Sequence, residues 1–183
     1  MLSREADLSC GIQSEHDRCG AHDVACEHAD QLDEKRAAEL RKYYPTWKQA
    51  DFDSFGEDLI KLALLWLDDI EKDVYPTMRA LESETLCVSV TAYTWIDVFH
   101  RSVSKGSGVK ALQEKLGIGK EETVVFGDYL NDLPMAEHAC RSFAPMNAHP
   151  AVKAAFTQVV AGHLEGGVTR TIQALIREAE NRE

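Results

Sequence analysis

Thirteen residues, Thr123-Val-Val-Phe-Gly-Asp-Tyr-Leu-Asn-Asp-Leu-Pro-Met135, limit what this chain can fold into. The run Thr123 to Phe126 is apolar and β-branched, too short for a helix, and closed by Gly127. Such a run predicts a parallel strand covered on both faces. Asp128, Asn131 and Asp132 then follow Gly127 within five residues. In open α/β sheets, ligand-handling groups collect beyond the carboxyl ends of the strands, so Asp128 stands at a candidate site. Asp132 opens a helical pattern with Pro134 in its first turn, where a missing N–H is tolerated. Two carboxylates flanking one tight turn can converge on a hard cation. Mg²⁺ accepts one or two carboxylates together with water and phosphate oxygens. An N-capping aspartate in an acidic loop would account for either carboxylate alone, but not for the ordered G-D-x-x-N-D behind an apolar strand.

Strand and helix patterns alternate around that turn. Upstream, Ala37, Leu40 and Tyr44 share a helical face between Asp33 and Tyr44, and Pro45 stops it. Leu59 to Leu67 is a dense apolar run, read as a strand that turns at Asp68-Asp69. Ile70, Val74, Met78 and Leu81 predict one helix, kinked or delayed by Pro76. Leu86 to Tyr93 and Trp95 to Phe99 alternate apolar and polar positions and read as two half-buried strands. Downstream, Val109, Leu112 and Leu116 mark a helix that ends at Gly117. Arg141 to Pro145 reads as a strand, Asn147-Ala-His-Pro as a turn and Ala151 to Phe156 as a helix. Thr157 to Val160 is a short strand, and Gly166-Gly167 precedes a last helix from Val168 to about Glu178. The expected class is α/β, with a partial parallel core sheet and flanking helices over residues 103–183. A smaller α/β unit occupies 32–102, and a polar N-terminal segment without sustained periodicity occupies 1–31.

Composition narrows the function classes. The chain has 183 residues, 44% hydrophobic and 28% charged, the balance of a soluble globular protein. Its formal net charge of −11 argues against a nucleic-acid surface. No run approaches the roughly 18 apolar residues of a membrane span, and the first residues lack the pattern of a signal peptide. Five cysteines at scattered spacings read as reduced thiols in a cytoplasmic protein. Cys19, His22, Cys26 and His28 invite a zinc reading, but C-x2-H-x3-C-x-H fits no common finger, and an exposed polar segment is the better account.

Ser104-Lys105-Gly106, the helix, the strand, G-D-Y-L-N-D and Asn147-Ala-His-Pro150 together resemble, in order and spacing, the haloacid dehalogenase (HAD) superfamily. Within it the chain is most similar to the Cof-type phosphatases, which carry an α/β cap, and the similarity runs from about Leu59 to the C-terminus. The resemblance implies a HAD-like Rossmannoid core plus a cap portion, and Mg²⁺-dependent hydrolysis of a small phosphorylated metabolite through an aspartyl-phosphate. It implies that Lys105 holds the phosphate, that Asp128 binds Mg²⁺, and that Asp132 is a ligand through water or orients the others. Asn131 would fix substrate or loop. Asn147 occupies the family's G-N-A turn, although Met146 stands where the glycine is usual. His149 and Cys140 read as structural residues.

The family's reaction also needs an aspartate nucleophile at the end of an apolar strand, with a second aspartate two residues later. Asp51-Phe-Asp53 has the spacing, but Tyr44-Pro-Thr-Trp-Lys-Gln-Ala before it is no such strand, so both read as turn residues. The nucleophile motif is therefore missing, and the chain reads as truncated, with open sheet edges that predict self-association. Two functions follow. One is a Mg²⁺-dependent phosphatase, incomplete as this chain; the other is a non-catalytic HAD-like protein that binds a phosphorylated ligand or a protein partner. Neither a nucleic acid nor a membrane is an expected partner.

Overall fold

A computed structural model describes residues 9–15, 22–27, 32–46, 48–49 and 59–181. It divides into two compact units at Arg101/Ser102.

The first unit carries a six-stranded sheet. Its elements are β1 (Ser9–Glu15), β2 (His22–Glu27), α1 (Glu34–Tyr43), β3 (Lys48–Gln49) and β4 (Leu59–Leu65), then the helical stretch and the hairpin β5 (Leu86–Ala92) and β6 (Trp95–His100). The strand order is β3-β2-β1-β4-β6-β5, antiparallel except between β2 and β3. Antiparallel pairing sets Leu65 opposite Trp95 and Ala63 opposite Asp97. Successive side chains point to opposite faces. One face therefore collects Ala63, Leu65 and Trp95 against Leu40 of α1. Leu64, Val88, Val90, Ile96 and Val98 are buried on the other.

Two sequence expectations change here. The N-terminal stretch read as unpatterned contains β1 and β2, and β1 is central, flanked by β2 and β4. The single helix read around Pro76 is broken into α2 (Ile70–Asp73), α3 (Tyr75–Met78) and a 3-10 turn, Arg79–Leu81. Pro76 has no N–H to give to the carbonyl four residues back, and the break falls just before it. Asp51, Asp53, Cys19 and His28 lie outside the described residues, while His22 and Cys26 stand on β2.

The second unit alternates strand and helix. It runs α4 (Lys105–Leu116), β7 (Val124–Phe126), a 3-10 helix (Leu130–His138), β8 (Arg141–Pro145), α5 (Pro150–Ala155), β9 (Gln158–Val160) and α6 (Gly167–Glu180). Its three strands are parallel in the order β7-β8-β9. The strand read at Thr123 is present from Val124, but β7 is an edge of the described sheet, and only Val125 of its three residues is fully buried. Val125, Ala139, Ala144, Ala148, Val152 and Phe156 form the core, with Val109 of α4 and Leu133 packed on them. Ser142, buried on β8, exchanges hydrogen bonds with Thr157: its N–H donates to Thr157 Oγ1 at 2.8 Å, and Thr157 N–H donates to its Oγ at 3.0 Å. That pair fixes where β9 begins. Arg141 spans Phe143, 5.1 Å from the ring centre, to pair with Glu178 of α6 at 2.8 Å.

Candidate active site

Parallel strands point their carboxyl ends the same way, so the loops after β7, β8 and β9 gather at one edge. The loop after β7 is built around Asp132. This residue is only 3% exposed, and its Oδ2 accepts the N–H groups of Asp128 at 2.8 Å and Tyr129 at 3.2 Å. A carboxylate that reaches back to the N–H groups at a helix start holds the turn closed. Its Oδ1 accepts from Lys105 Nζ at 2.5 Å. The close fold-back explains Gly127, since a Cβ there would lie 2.5 Å from the Asp132 Cβ.

Lys105 is delivered from the other side. Ser104 caps α4, its Oγ accepting the Ser107 N–H at 3.0 Å, while Ser107 Oγ accepts the Ser104 N–H at 2.8 Å. Helix α4 then meets the 3-10 helix so closely that a Cβ on Gly106 would lie 2.6 Å from the Pro134 carbonyl oxygen. Only glycine permits this approach, which carries the neighbouring lysine to Asp132. The Lys105 side chain remains half exposed, so two of its three ammonium donors are open to a ligand.

Asp128 completes the cluster. Its carbonyl accepts the His149 N–H at 2.8 Å, so its backbone is tethered on both sides, by Asp132 and by the turn after β8. Its carboxylate is exposed and has no hydrogen-bonding partner among the described residues. A cleft of about 720 Å³ contains Lys105, Asp128 and Asp132 together with Phe126, Gly127, Met135, Pro145, Asn147, His163 and Val168. No group of three or more His, Cys, Asp or Glu gathers anywhere among the described residues. A magnesium ion does not need one, since one carboxylate with water and phosphate oxygens suffices. The donor set fits on this count: Asp128 offers a hard, unengaged oxygen, whereas both Asp132 oxygens already accept hydrogen bonds. Asp132 is thus arranged as an orienter of Asp128 and Lys105.

The two amides part company. Asn131 follows the same turn, and its buried Oδ1 has no partner, an acceptor left waiting for a donor. Asn147 lines the cleft, but its Oδ1 accepts the backbone N–H of His163 at 3.0 Å. It braces the loop after β9. His163 itself was missed by sequence reasoning. The signal was the bracket of glycines around it: Gly166 adopts a left-handed φ of 66°, and a Cβ on Gly167 would lie 1.8 Å from the Ala161 carbonyl oxygen. His149 Nδ1 accepts the Ala151 N–H at 3.2 Å and caps α5.

The sequence matches the family of haloacid dehalogenase-like hydrolases over residues 10–172, reaching well upstream of Leu59, where the motif resemblance begins. The 5-amino-6-(5-phospho-D-ribitylamino)uracil phosphatase YbjI of Escherichia coli strain K12 is 31% identical over 144 residues, 78% of this chain and 52% of its own length. The crystal structure of a Streptococcus mutans UA159 protein superposes with a TM-score of 0.79 at 20% identity, covering 95% of this chain and 63% of that one. The HAD subclass IIB sugar phosphatase BT4131 gives 0.71 at 23% identity, covering 92% of this chain and 60% of that one. The chain spans about half the length, or less, of the first curated relatives it matches.

Proposed function

The chain belongs to the haloacid dehalogenase-like hydrolases, and from that footing we propose that it carries the cation-binding and phosphate-binding side of a Mg²⁺-dependent phosphatase acting on a small phosphorylated metabolite. The observation that supports this most is the Lys105–Asp132–Asp128 cluster at the end of β7. Asp128 and Asp132 bring two negative charges and Lys105 one positive, leaving a net −1 that suits a dication. When bound, Mg²⁺ would supply charge to a phosphate oxygen. The protein's own groups do the rest. Asp128 would hold the ion, and Asp132 keeps Asp128 and Lys105 in register. The two open donors of Lys105 would hold phosphate oxygens and offset the charge gathering there in the transition state. Asn131, whose unpartnered oxygen is buried in the same turn, would serve the loop that carries Asp128 and Asp132.

Attack on phosphorus is the part of the reaction that the described residues do not carry. The carboxylates among the described cleft residues are Asp128 and Asp132, and both have other work. This favours keeping a second reading, in which the chain binds a phosphorylated ligand without hydrolysing it. Self-association through the edge strand β7 belongs to the proposal, as does a cytoplasmic setting, to which the free thiols of Cys87 and Cys140 are suited.

Titration calorimetry tests the common core of both readings. Mg²⁺ should bind the chain saturably in the presence of inorganic phosphate. Asp128→Asn should weaken that binding by at least about tenfold, roughly 1.4 kcal/mol. Lys105→Met should spare Mg²⁺ and weaken phosphate. Undiminished Mg²⁺ affinity in Asp128→Asn removes the assignment.

A further inference from the structure

The Mg²⁺ and phosphate reading uses the end of β7 and leaves the end of β9 without a role. His163 stands there, exposed, in the same cleft as Lys105 and Asp128. Its imidazole makes no hydrogen bond or ion pair among the described residues. An idle surface histidine on a loose loop would mean little, but this loop is held by hydrogen bonds within itself and by one to Asn147. Asn147 Oδ1 accepts the His163 N–H at 3.0 Å, and Glu165 Oε2 accepts the Gly162 N–H at 3.0 Å. The N–H of Gly166 reaches the His163 carbonyl at 3.1 Å, and that of Gly167 reaches the Gly162 carbonyl at 3.2 Å. Asn147 comes from the end of β8, so the neighbouring strand end fixes the position of His163. The backbone is preorganised while the ring is kept unspent.

The strand order sets where the ring stands relative to the groups proposed to hold phosphate. The strand order is β7-β8-β9, and neighbouring strands lie about 4.8 Å apart, so the ends of β7 and β9 are separated by about 10 Å. A ligand with its phosphate at Asp128 and Lys105, on the β7 side of the cleft, would turn its organic part toward His163 on the β9 side.

We propose that His163, positioned by Asn147, is a specificity-determining residue that hydrogen-bonds an oxygen on the organic group of a phosphate monoester whose phosphate is held by Lys105. The inference rests on the phosphate reading above and adds the far end of the ligand to it. The ligand must place a hydroxyl or carbonyl oxygen several atoms from its ester phosphate, which an extended polyhydroxylated chain does and a short or purely alkyl ester does not. The imidazole suits such a partner because it offers an N–H donor in either protonation state.

The probes are inorganic phosphate, ribose 5-phosphate and hexyl phosphate, each titrated calorimetrically into the full chain with Mg²⁺, with the ring signals of His163 followed by NMR. Wild-type protein should bind ribose 5-phosphate more tightly than hexyl phosphate, and only ribose 5-phosphate should shift the His163 ring beyond the change caused by inorganic phosphate. His163→Ala should weaken ribose 5-phosphate by about three- to tenfold, the range of one hydrogen bond, and leave the other two unchanged. Asn147→Ala should reproduce that selective loss by freeing the loop. Asn147→Asp, which keeps an acceptor for the His163 N–H, should restore most of it. Equal weakening of inorganic phosphate and ribose 5-phosphate in His163→Ala would put the ring on the phosphoryl group and overturn the proposal. Binding of all three probes without any effect of His163→Ala overturns it too, yet leaves the phosphate site standing. Failure of wild-type protein to bind any of the three removes the phosphate site, and this inference with it.

Discussion

Asp132 holds three donors in the cleft: one ammonium and two backbone N–H groups. Truncating it strands the two partly buried N–H groups, while half-exposed Lys105 regains water and loses little. Asp132→Ala should therefore destabilise the chain by about 2–3 kcal/mol, and Asp132→Asn, which retains an acceptor, by clearly less. Urea midpoints at fixed slope check the difference. Equal losses would mean that the charge, not the acceptor, holds the turn. Asp128 and Asp132 were legible in the sequence, because strand, glycine and carboxylates come in one local order, whereas Lys105 was picked out through the family resemblance. His163 was not. Its place in the cleft depends on a bond to Asn147, 16 residues away, and on glycines whose crowding exists only in the folded backbone. The bond that commits the Asn147 oxygen to a neighbouring loop was hidden for the same reason.

Among the elements, parallel β7, β8 and β9 were readable from short apolar runs between glycines and helices. The sheet of the first unit was harder. Ser9–Glu15 pairs with Leu59–Leu65 across some fifty residues, and Ser-Cys-Gly-Ile-Gln-Ser-Glu carries too little apolar alternation to announce a strand. Its place in the sheet comes from pairing, not from propensity. Between β4 and β6, Lys61 lies beside Asp97, Nζ to Oδ2 3.2 Å, with both side chains mostly buried. Burial works against the ammonium, but the charge of Asp97, with a smaller contribution from Tyr44, more than offsets it and holds the Lys61 pKa above its usual 10.5. A group with a raised folded-state pKa stabilises fully below its unfolded value, and that stability fades as pH climbs through the folded value. The stability difference between wild type and Lys61→Met should thus stay constant from pH 7 to about 10 and shrink above it. Denaturant unfolding in steps of pH reads this directly; a difference that grows with alkaline pH would reverse the sign.

At the scale of the molecule, the described cleft has, in the proposed reading, means to hold a phosphate and none to attack it. Covalent phosphoryl transfer requires a nucleophile aimed at phosphorus, and without it positioning and electrostatics leave only residual acceleration. In the proposed arrangement Asp128 serves a cation, and Asp132 is hydrogen-bonded through both oxygens, so neither is available. Purified chain with Mg²⁺ should therefore bind phosphate yet hydrolyse a generic aryl phosphate little or not at all, at low and high protein concentration alike. The concentration series matters because β7 ends the described sheet, and a second chain seated on that edge could lend a carboxylate. Turnover that appears only at high concentration would point to such a shared site. Asp51→Asn and Asp53→Asn serve as controls, since that D-x-D spacing was set aside for want of an apolar strand before it. Robust turnover abolished by Asp51→Asn would identify Asp51 as the nucleophile after all. Robust turnover indifferent to both changes and to concentration would require a carboxylate elsewhere in the chain, and the division of labour proposed for the cleft would have to be redrawn.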